Sequence, residues 1–380
     1  MPLAAAAHGP APVDPAQLGP EQRHAGQLGS DPLGLDARRT RNLWWVAGLA
    51  GLLVVSVLAG VGIGAVSISP LTVLKIVGHQ VFGLPGEVTW RGTEEAIVWR
   101  VRLPRVLLGV AVGAGLAVCG AALQAMVRNM LADPYLLGIN SGASSGAAAA
   151  ILFGFGAGFG EHALTTSAFL GALAASLLVF LVARTSGQVT SVRLLLAGVA
   201  VGYVLYATTA FLIFASGSAE GARSVLFWLL GSLGLAQWGA TLAVVLAVAA
   251  LAVGLLTLWG SRLDALAIGD ETARTLGLSP TAFRTQLLVL VSLCVGVLVA
   301  ASGSIGFVGL VVPHLARRVV GAAHSWSIPV SALMGAIFLV WADLFARVVL
   351  QPQELPIGIV TALVGAPFLL YLVRNLHAAS

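Results

Sequence analysis

The chain has 380 residues, 58% of them hydrophobic and only 9% charged, with a formal net charge of +5. A soluble domain carries about a quarter charged residues, so too little polar surface remains here to cover a globule in water. The composition excludes a soluble domain and indicates a polytopic membrane protein.

Residues 1–42 open the chain. Up to about residue 37 they are rich in Ala, Pro, Gly and His without an apolar period, and they read as a disordered N-terminal tail. No apolar run follows the first methionine, so the tail does not resemble a secretion signal. The basic stretch ARRTR (37–41) directly precedes the first apolar run, which places the N-terminus in the cytoplasm.

The transmembrane domain is expected over 43–376. A hydrocarbon layer about 30 Å thick takes roughly 20 residues of helix. Runs of that length begin near Leu43, Leu103, Pro134, Ala163, Leu194, Gly239, Thr285, Ser327 and Leu355. A shorter run, SIGFVGLVVPHLARRVVG, lies between Thr285 and Ser327. The fold class is therefore all-α with about ten spans, and barrel strands, which would alternate over about ten residues, are excluded. Ten spans return the C-terminus to the cytoplasm. Arg128, Arg184, Arg193, Arg262, Arg274, Arg284, Arg317, Arg318 and Arg374 then fall inside, as the basic bias of inner loops requires.

Arg100, Arg102 and Arg105 break that bias at the outer end of the second span, and Arg347 does so at the outer end of the ninth. Two readings stay open. An acidic partner docks on them from outside, or they pair locally, Arg347 with Asp343 and the others with Glu94, Glu95 or lipid phosphate.

The third span begins NMLADPYLLGINSGASSGAAAA (129–150). Pro134 is suited to its first turn, and Gly138, Gly142 and Gly146 keep a small-xxx-small spacing that brings helix backbones together. Close packing is one reading; a helix lining a cavity for a bulky solute is the other. Cys119 and Cys294 lie inside spans as small buried side chains. They build no metal site, and no cofactor is expected.

An ion-coupled carrier needs ionisable groups within the membrane, and the expected span centres have none. Asp343 sits near an end, and His314 reads as a structural hydrogen-bonding group rather than a relay. A P-loop needs Gly-Lys-Ser/Thr, whereas the single lysine, Lys75, follows Leu74. Energy therefore comes from another subunit or from the solute's gradient. A polar segment between the sixth and seventh spans, about 261–283, is suited to receive a push. DETARTLG (270–277) reads as a short helix with acidic residues at its N-terminus and Gly277 closing it. The bland alternative is an amphipathic connector lying on the lipid surface.

Seven blocks in order resemble the FecCD family, the permease subunits of bacterial ABC importers for iron–siderophores, haem and vitamin B12. They are RLPR (102–105), GAALQAMVRNMLADPYLLGINSGA (120–143), RLLLAGVAVG (193–202), LFWLLGSLG (226–234), ALAIGDETARTLGL (265–278), GSIGFVGLVVPHLAR (303–317) and ELPIGIVTALVGAPFLLYL (354–372). The resemblance covers about residues 43 to 376. It implies a ten-helix permease of the type II ABC importer fold in a bacterial cell membrane. It further implies a homodimer, two cytoplasmic ATP-binding subunits, an extracytoplasmic solute-binding protein, surrounding lipid and no nucleic-acid partner.

The chain itself is then not an enzyme, because ATP hydrolysis belongs to its partner. The resemblance also implies that Arg102, Arg105 and Arg347 dock the binding protein, with Arg100 additional. Coupling to the ATPase falls on Gly269, Ala273, Arg274, Leu276 and Gly277. The cytoplasmic gate falls on Asn129, Leu131, Thr190 and Ser191, with Met130 where the family has proline. Tyr203, Tyr206 and Phe214 share about an 80° arc of the fifth span at 100° per residue and are expected to line the pathway. Iron–siderophore is the first expectation for the cargo, then haem, then vitamin B12. The competing class is an ATP-independent carrier or channel for a bulky solute.

Overall fold

The computed structural model describes residues 35–184 and 190–377. Most of the expected tail, residues 1–34, lies outside the described residues. The chain divides into two units, 1–45 and 46–380, and what is described of the first is the opening of helix α1 (Leu35–Gly62). That helix corrects the tail boundary: residues 35–42 are its first turns, with Asp36 at its N-terminal end, where a negative charge is favoured.

All regular structure among the described residues is helical. A second helix, α2 (Pro70–Phe82), is too short to span and was not expected from the sequence. Ser69 caps it through Thr72 N–H, Pro70 occupies its first turn, and Gly83 closes it at φ 70°. A short turn (Gly92–Glu95) and a π-helical stretch (Ala96–Arg102) lead into α3 (Leu103–Val127). A 3-10 turn (Pro134–Leu137) precedes α4 (Ile139–Phe153). The chain continues through α5 (Ala163–Ala183), α6 (Ser191–Ser216), α7 (Ala219–Leu229) and α8 (Ala240–Leu258). Two short helices follow, α9 (Gly260–Ile268) and α10 (Asp270–Thr275). The last four are α11 (Pro280–Ser302), α12 (Val308–Val320), α13 (His324–Val348) and α14 (Ile357–His377).

Seven of these stretches are long and apolar enough to cross a membrane. A further apolar stretch, Ile357–Leu372, lies in α14, and the chain is a multi-pass membrane protein; α4 and α12, at 15 and 13 residues, stand where two of the ten expected spans were placed. The start of the third span differs from expectation. Pro134 opens a 3-10 turn rather than the α-helix, because Gly138 turns the chain at φ 72° before α4 begins.

α3 is buried along almost its whole length and packs against α8, α11, α12 and α13. Small residues set these contacts. A Cβ on Gly113 would collide with the Gly335 carbonyl of α13, and one on Gly120 with Gly309 of α12. Gly142 and Gly146 of α4 meet Gly171 and Ser167 of α5 in the same way. The small side chains of 138–150 thus serve close packing.

Where the backbone leaves helical geometry inside the bundle, protein groups satisfy it, as hydrocarbon cannot. Between α11 and α12, Ser302 O accepts from Ser232 N–H at 2.8 Å. Ile305 exchanges two 2.9 Å bonds with the Tyr135 hydroxyl, one through its N–H and one through its carbonyl. Leu230 O accepts from Gly358 N–H at 2.9 Å.

Gly113→Ala should destabilise the bundle by about 1–3 kcal/mol, the usual cost of overpacking. Gly254→Ala, whose Cβ meets nothing within 4 Å, should be neutral or stabilising, because Ala is the better helix former by roughly 0.8–1 kcal/mol. Thermal unfolding of the two variants in detergent checks the contrast.

Candidate functional site

Two polar clusters sit near opposite ends of α3, meeting it at Arg105 and Met126, about 32 Å apart at ~1.5 Å per residue. At the N-terminal end Arg105 forks onto Asp343 of α13. Its Nε lies 2.9 Å from Oδ1 and its Nη2 2.9 Å from the same oxygen, while Nη1 reaches Glu354 Oε2 at 2.9 Å. Arg347 shares the carboxylate, with Nε 3.0 Å from Asp343 Oδ2. That N–H is misaligned for a hydrogen bond, and Nη2 donates instead to Gly60 O at 2.9 Å. Arg102 donates to the carbonyls of Val61 at 2.9 Å, Gly62 at 3.0 Å and Val66 at 2.6 Å, closing the last turn of α1.

Arg102, Arg105 and Arg347 therefore do not present free charge. All three are buried, at 7–8% exposure, and engaged within the chain. Local pairing holds for Arg347 and Asp343, but the partners of Arg105 are Asp343 and Glu354 rather than Glu94 or Glu95. Glu94 accepts from Arg91 N–H, and Glu95 accepts from Trp90 and Gln80. Arg100 is exposed. Beside this cluster opens a cavity of about 1270 Å³, lined among others by Arg105, Asp343, Glu354, Arg223, Trp228 and Trp238.

The second cluster gathers around Arg284, in the first turns of α11. Its side chain is 1% exposed. Nη1 and Nη2 fork onto Asp270 at 2.9 and 2.7 Å. Nη2 also donates to Ser191 Oγ at 3.2 Å, and Nε to Met126 O at 3.3 Å. Ser191 Oγ in turn donates to Met126 O at 3.1 Å. Arg128, in the left-handed region at φ 53°, brings Nη1 within 4.0 Å of Asp270. The hydrogen bonds from Arg284 hold the Asp270 carboxyl below its ordinary value of 3.8. The pair therefore contributes fully at neutral pH and is lost only as pH falls through that lowered value.

The structure brings some of the expected gate residues together. Ser191 is tied to Met126, three residues before Asn129. Asn129 Oδ1 accepts from Leu131 N–H at 2.9 Å, and Asn129 N–H bonds Gln124 O at 3.1 Å. This side-chain turn constrains the loop that carries Met130. Thr190 is half-buried at the start of α6.

The expected coupling segment is a folded turn. Leu278 N–H bonds Ala273 O, and Gly277 N–H bonds Arg274 O, both at 2.9 Å, with Gly277 at φ 77°. This double closure is the Schellman arrangement. Gly269 separates α9 from α10. Ala273, also named for coupling, is fully buried. Arg274 and Leu276 are exposed, Leu276 at 68%. Tyr203, Tyr206 and Phe214 project from one exposed face of α6 at 69–85%.

His314 was expected to make a structural hydrogen bond. Neither ring nitrogen has a partner among the described residues, and the ring sits edge-on to Phe368 at 5.9 Å. Sequence reasoning placed Arg284 only as one more inner arginine. Its position in the turn that follows a polar segment containing Asp270 was the available signal. Nothing local announced Gln124, whose Nε2 lies 3.3 Å from the carbonyls of Ala132, Gly309 and Leu310 while its Oε1 accepts from Arg317 at 2.7 Å.

The profile of the FecCD transport family matches residues 52–375. The Fe(3+)-citrate import system permease protein of Bacillus subtilis is 39% identical over 75% of this chain and 84% of its own length. The cobalamin import system permease protein of Halobacterium salinarum is 42% identical over 77% and 76%. The hemin transport system permease protein of Yersinia pestis is 38% identical over 85% and 92%. A solved inward-facing structure, described as of a metal-chelate type ABC transporter, superposes with a TM-score of 0.75. It is 34% identical and covers 87% of this chain and 98% of that one.

Asp343→Ala would leave two buried guanidinium groups without their shared carboxylate. Removing one partner of a buried ion pair costs about 3–5 kcal/mol, and unfolding of the variant should show a loss of that order. Arg100→Ala, at an exposed position, should change stability by no more than about 0.5 kcal/mol. Equal stabilities would show that the cluster does not hold the helix ends together.

Proposed function

The chain belongs to the FecCD transport family, and from that membership we propose that it is the permease subunit of an ATP-driven importer of a bulky metal chelate. The observation that supports this most directly is the family match along nearly the whole membrane domain. Relatives at 38–42% identity are named for the import of ferric citrate, cobalamin and hemin. Those cargoes share size and a chelated metal. Ferric siderophore is the first assignment, haem the second and vitamin B12 the third.

In this reading two copies of the chain surround a pathway, and the exposed α6 face with Tyr203, Tyr206 and Phe214 turns towards it. The Asp270 end lies in the cytoplasm with both termini, in keeping with the basic residues that border the spans there. Two ATP-binding subunits grip α9–α10 around Arg274, Leu276 and Gly277, and a rigid turn transmits a push better than a flexible one. Asn129, Leu131, Thr190 and Ser191 close the cytoplasmic side.

A solute-binding protein docks at the other end, on the face built by Arg102, Arg105 and Arg347. Because these three are buried, their part is to fix the shape of that face. Arg100 supplies the reachable charge, and such rim charges act on encounter rate more than on affinity.

Uptake into vesicles containing the reconstituted complex tests the reading, with a ferric siderophore, hemin and cobalamin compared. ATP-dependent uptake of the ferric siderophore is expected. Uptake of equal rate without ATP would make the chain a carrier, and uptake of none of the three would overturn the assignment. In the same preparation Arg100→Glu should slow binding-protein association severalfold at low salt and leave basal ATP hydrolysis unchanged. Association at the unaltered rate would place docking elsewhere.

A further inference from the structure

We propose that Arg284 is a positioning residue that links movement of α10 to the 129–131 loop and to the start of α6. The inference rests on the proposed engagement of the ATP-binding subunits with α9–α10, and it adds the route by which a push there reaches the gate.

Three separate elements end at this one guanidinium. Asp270 stands at the first position of α10, Met126 O in the last turn of α3, and Ser191 at the first position of α6. Helix ends leave unsatisfied backbone groups. The Met126 carbonyl is one of these, and both Arg284 Nε and Ser191 Oγ donate to it. The planar fork of arginine suits this task and an ammonium does not. Two nitrogens take the two oxygens of Asp270 in parallel, which fixes direction as well as distance.

The flanking geometry favours transmission over simple packing. α10 has six residues, with Gly269 on one side and the Leu276–Ser279 turn on the other. Its face towards the partner is exposed at Arg274 and Leu276, whereas Asp270 turns back to a side chain that is 1% exposed. A displacement of α10 therefore acts on Arg284 directly. From there Met126 leads within three residues to Asn129, whose side chain shapes the loop through Leu131 N–H. Ser191 leads along α6 to Tyr203 and Tyr206. A single hydrogen-bonded junction thus joins the driven turn to both expected halves of the gate.

The test uses the full complex in vesicles and reads ATP hydrolysis and cargo uptake together, with ATPase association measured by co-purification. Asp270→Asn preserves the shape of the partly exposed partner, and Arg284→Gln removes the charge. In both, association and hydrolysis should persist while uptake per ATP falls about tenfold, within the ~5–150-fold range typical of coupling between sites. Arg284→Lys, which keeps the charge without the fork, should recover only part of the loss.

Uptake per ATP at the wild-type level in Asp270→Asn and Arg284→Gln would overturn the proposal. So would variants that lower only the amount of assembled complex, since that is the mark of a purely structural role. Failure of the functional reading looks different, because the unaltered complex would itself show no ATP-dependent uptake.

Discussion

Hydrocarbon offers no hydrogen bond, so every charged or irregular group inside this bundle must find its partner in the chain. That constraint decides where the few polar residues go. Arg102 closes the carbonyls at the end of α1, and Arg105 and Arg347 share Asp343. Tyr135 satisfies both backbone groups of Ile305, and Gln124 joins the carbonyls before α4 to those opening α12. These polar groups work as ties between elements, whereas the His314 ring nitrogens find no partner among the described residues.

The apolar middle is organised differently. There the contacts are between small residues, Gly113 with Gly335 and Gly142 with Gly171. Without a hydrophobic drive between helices in lipid, such close backbone approach supplies the packing. A bundle tied at its ends and closely fitted in its middle favours movement of whole helices over local deformation. In the proposed importer the driven end is the Arg284 junction, and α6, with one face exposed in the single chain, is the element left to respond.

The spans were legible because hydrophobic length is a property of continuous sequence, and the blocks from RLPR to ELPIG made the family legible as well. The turn at Gly277 was equally readable, since its glycine follows a short acidic-start helix. Burial was not. Arg105 lies 238 residues from Asp343 and 249 from Glu354, so nothing near RLPR shows that its charge is already matched. Nor could the sequence tell which side of the six-residue α10 is buried, since that depends on its neighbours, and Ala273 turns out to face inward. Gly138 was read only for its spacing, and its turn at φ 72° shortens the third span. α2 was missed because an apolar stretch of 13 residues falls below the length that marks a crossing.

The central claim is that nucleotide acting on the Asp270 end moves the loop after α3. A spin label on Met130→Cys, in a chain lacking Cys119 and Cys294, reports this most directly, since Met130 is exposed at 48% and lies inside that loop. In the assembled complex the label-to-label distance between the two copies should shift when ATP is added under non-hydrolysing conditions, and return after hydrolysis. A distance distribution that stays the same in all nucleotide states would contradict the account.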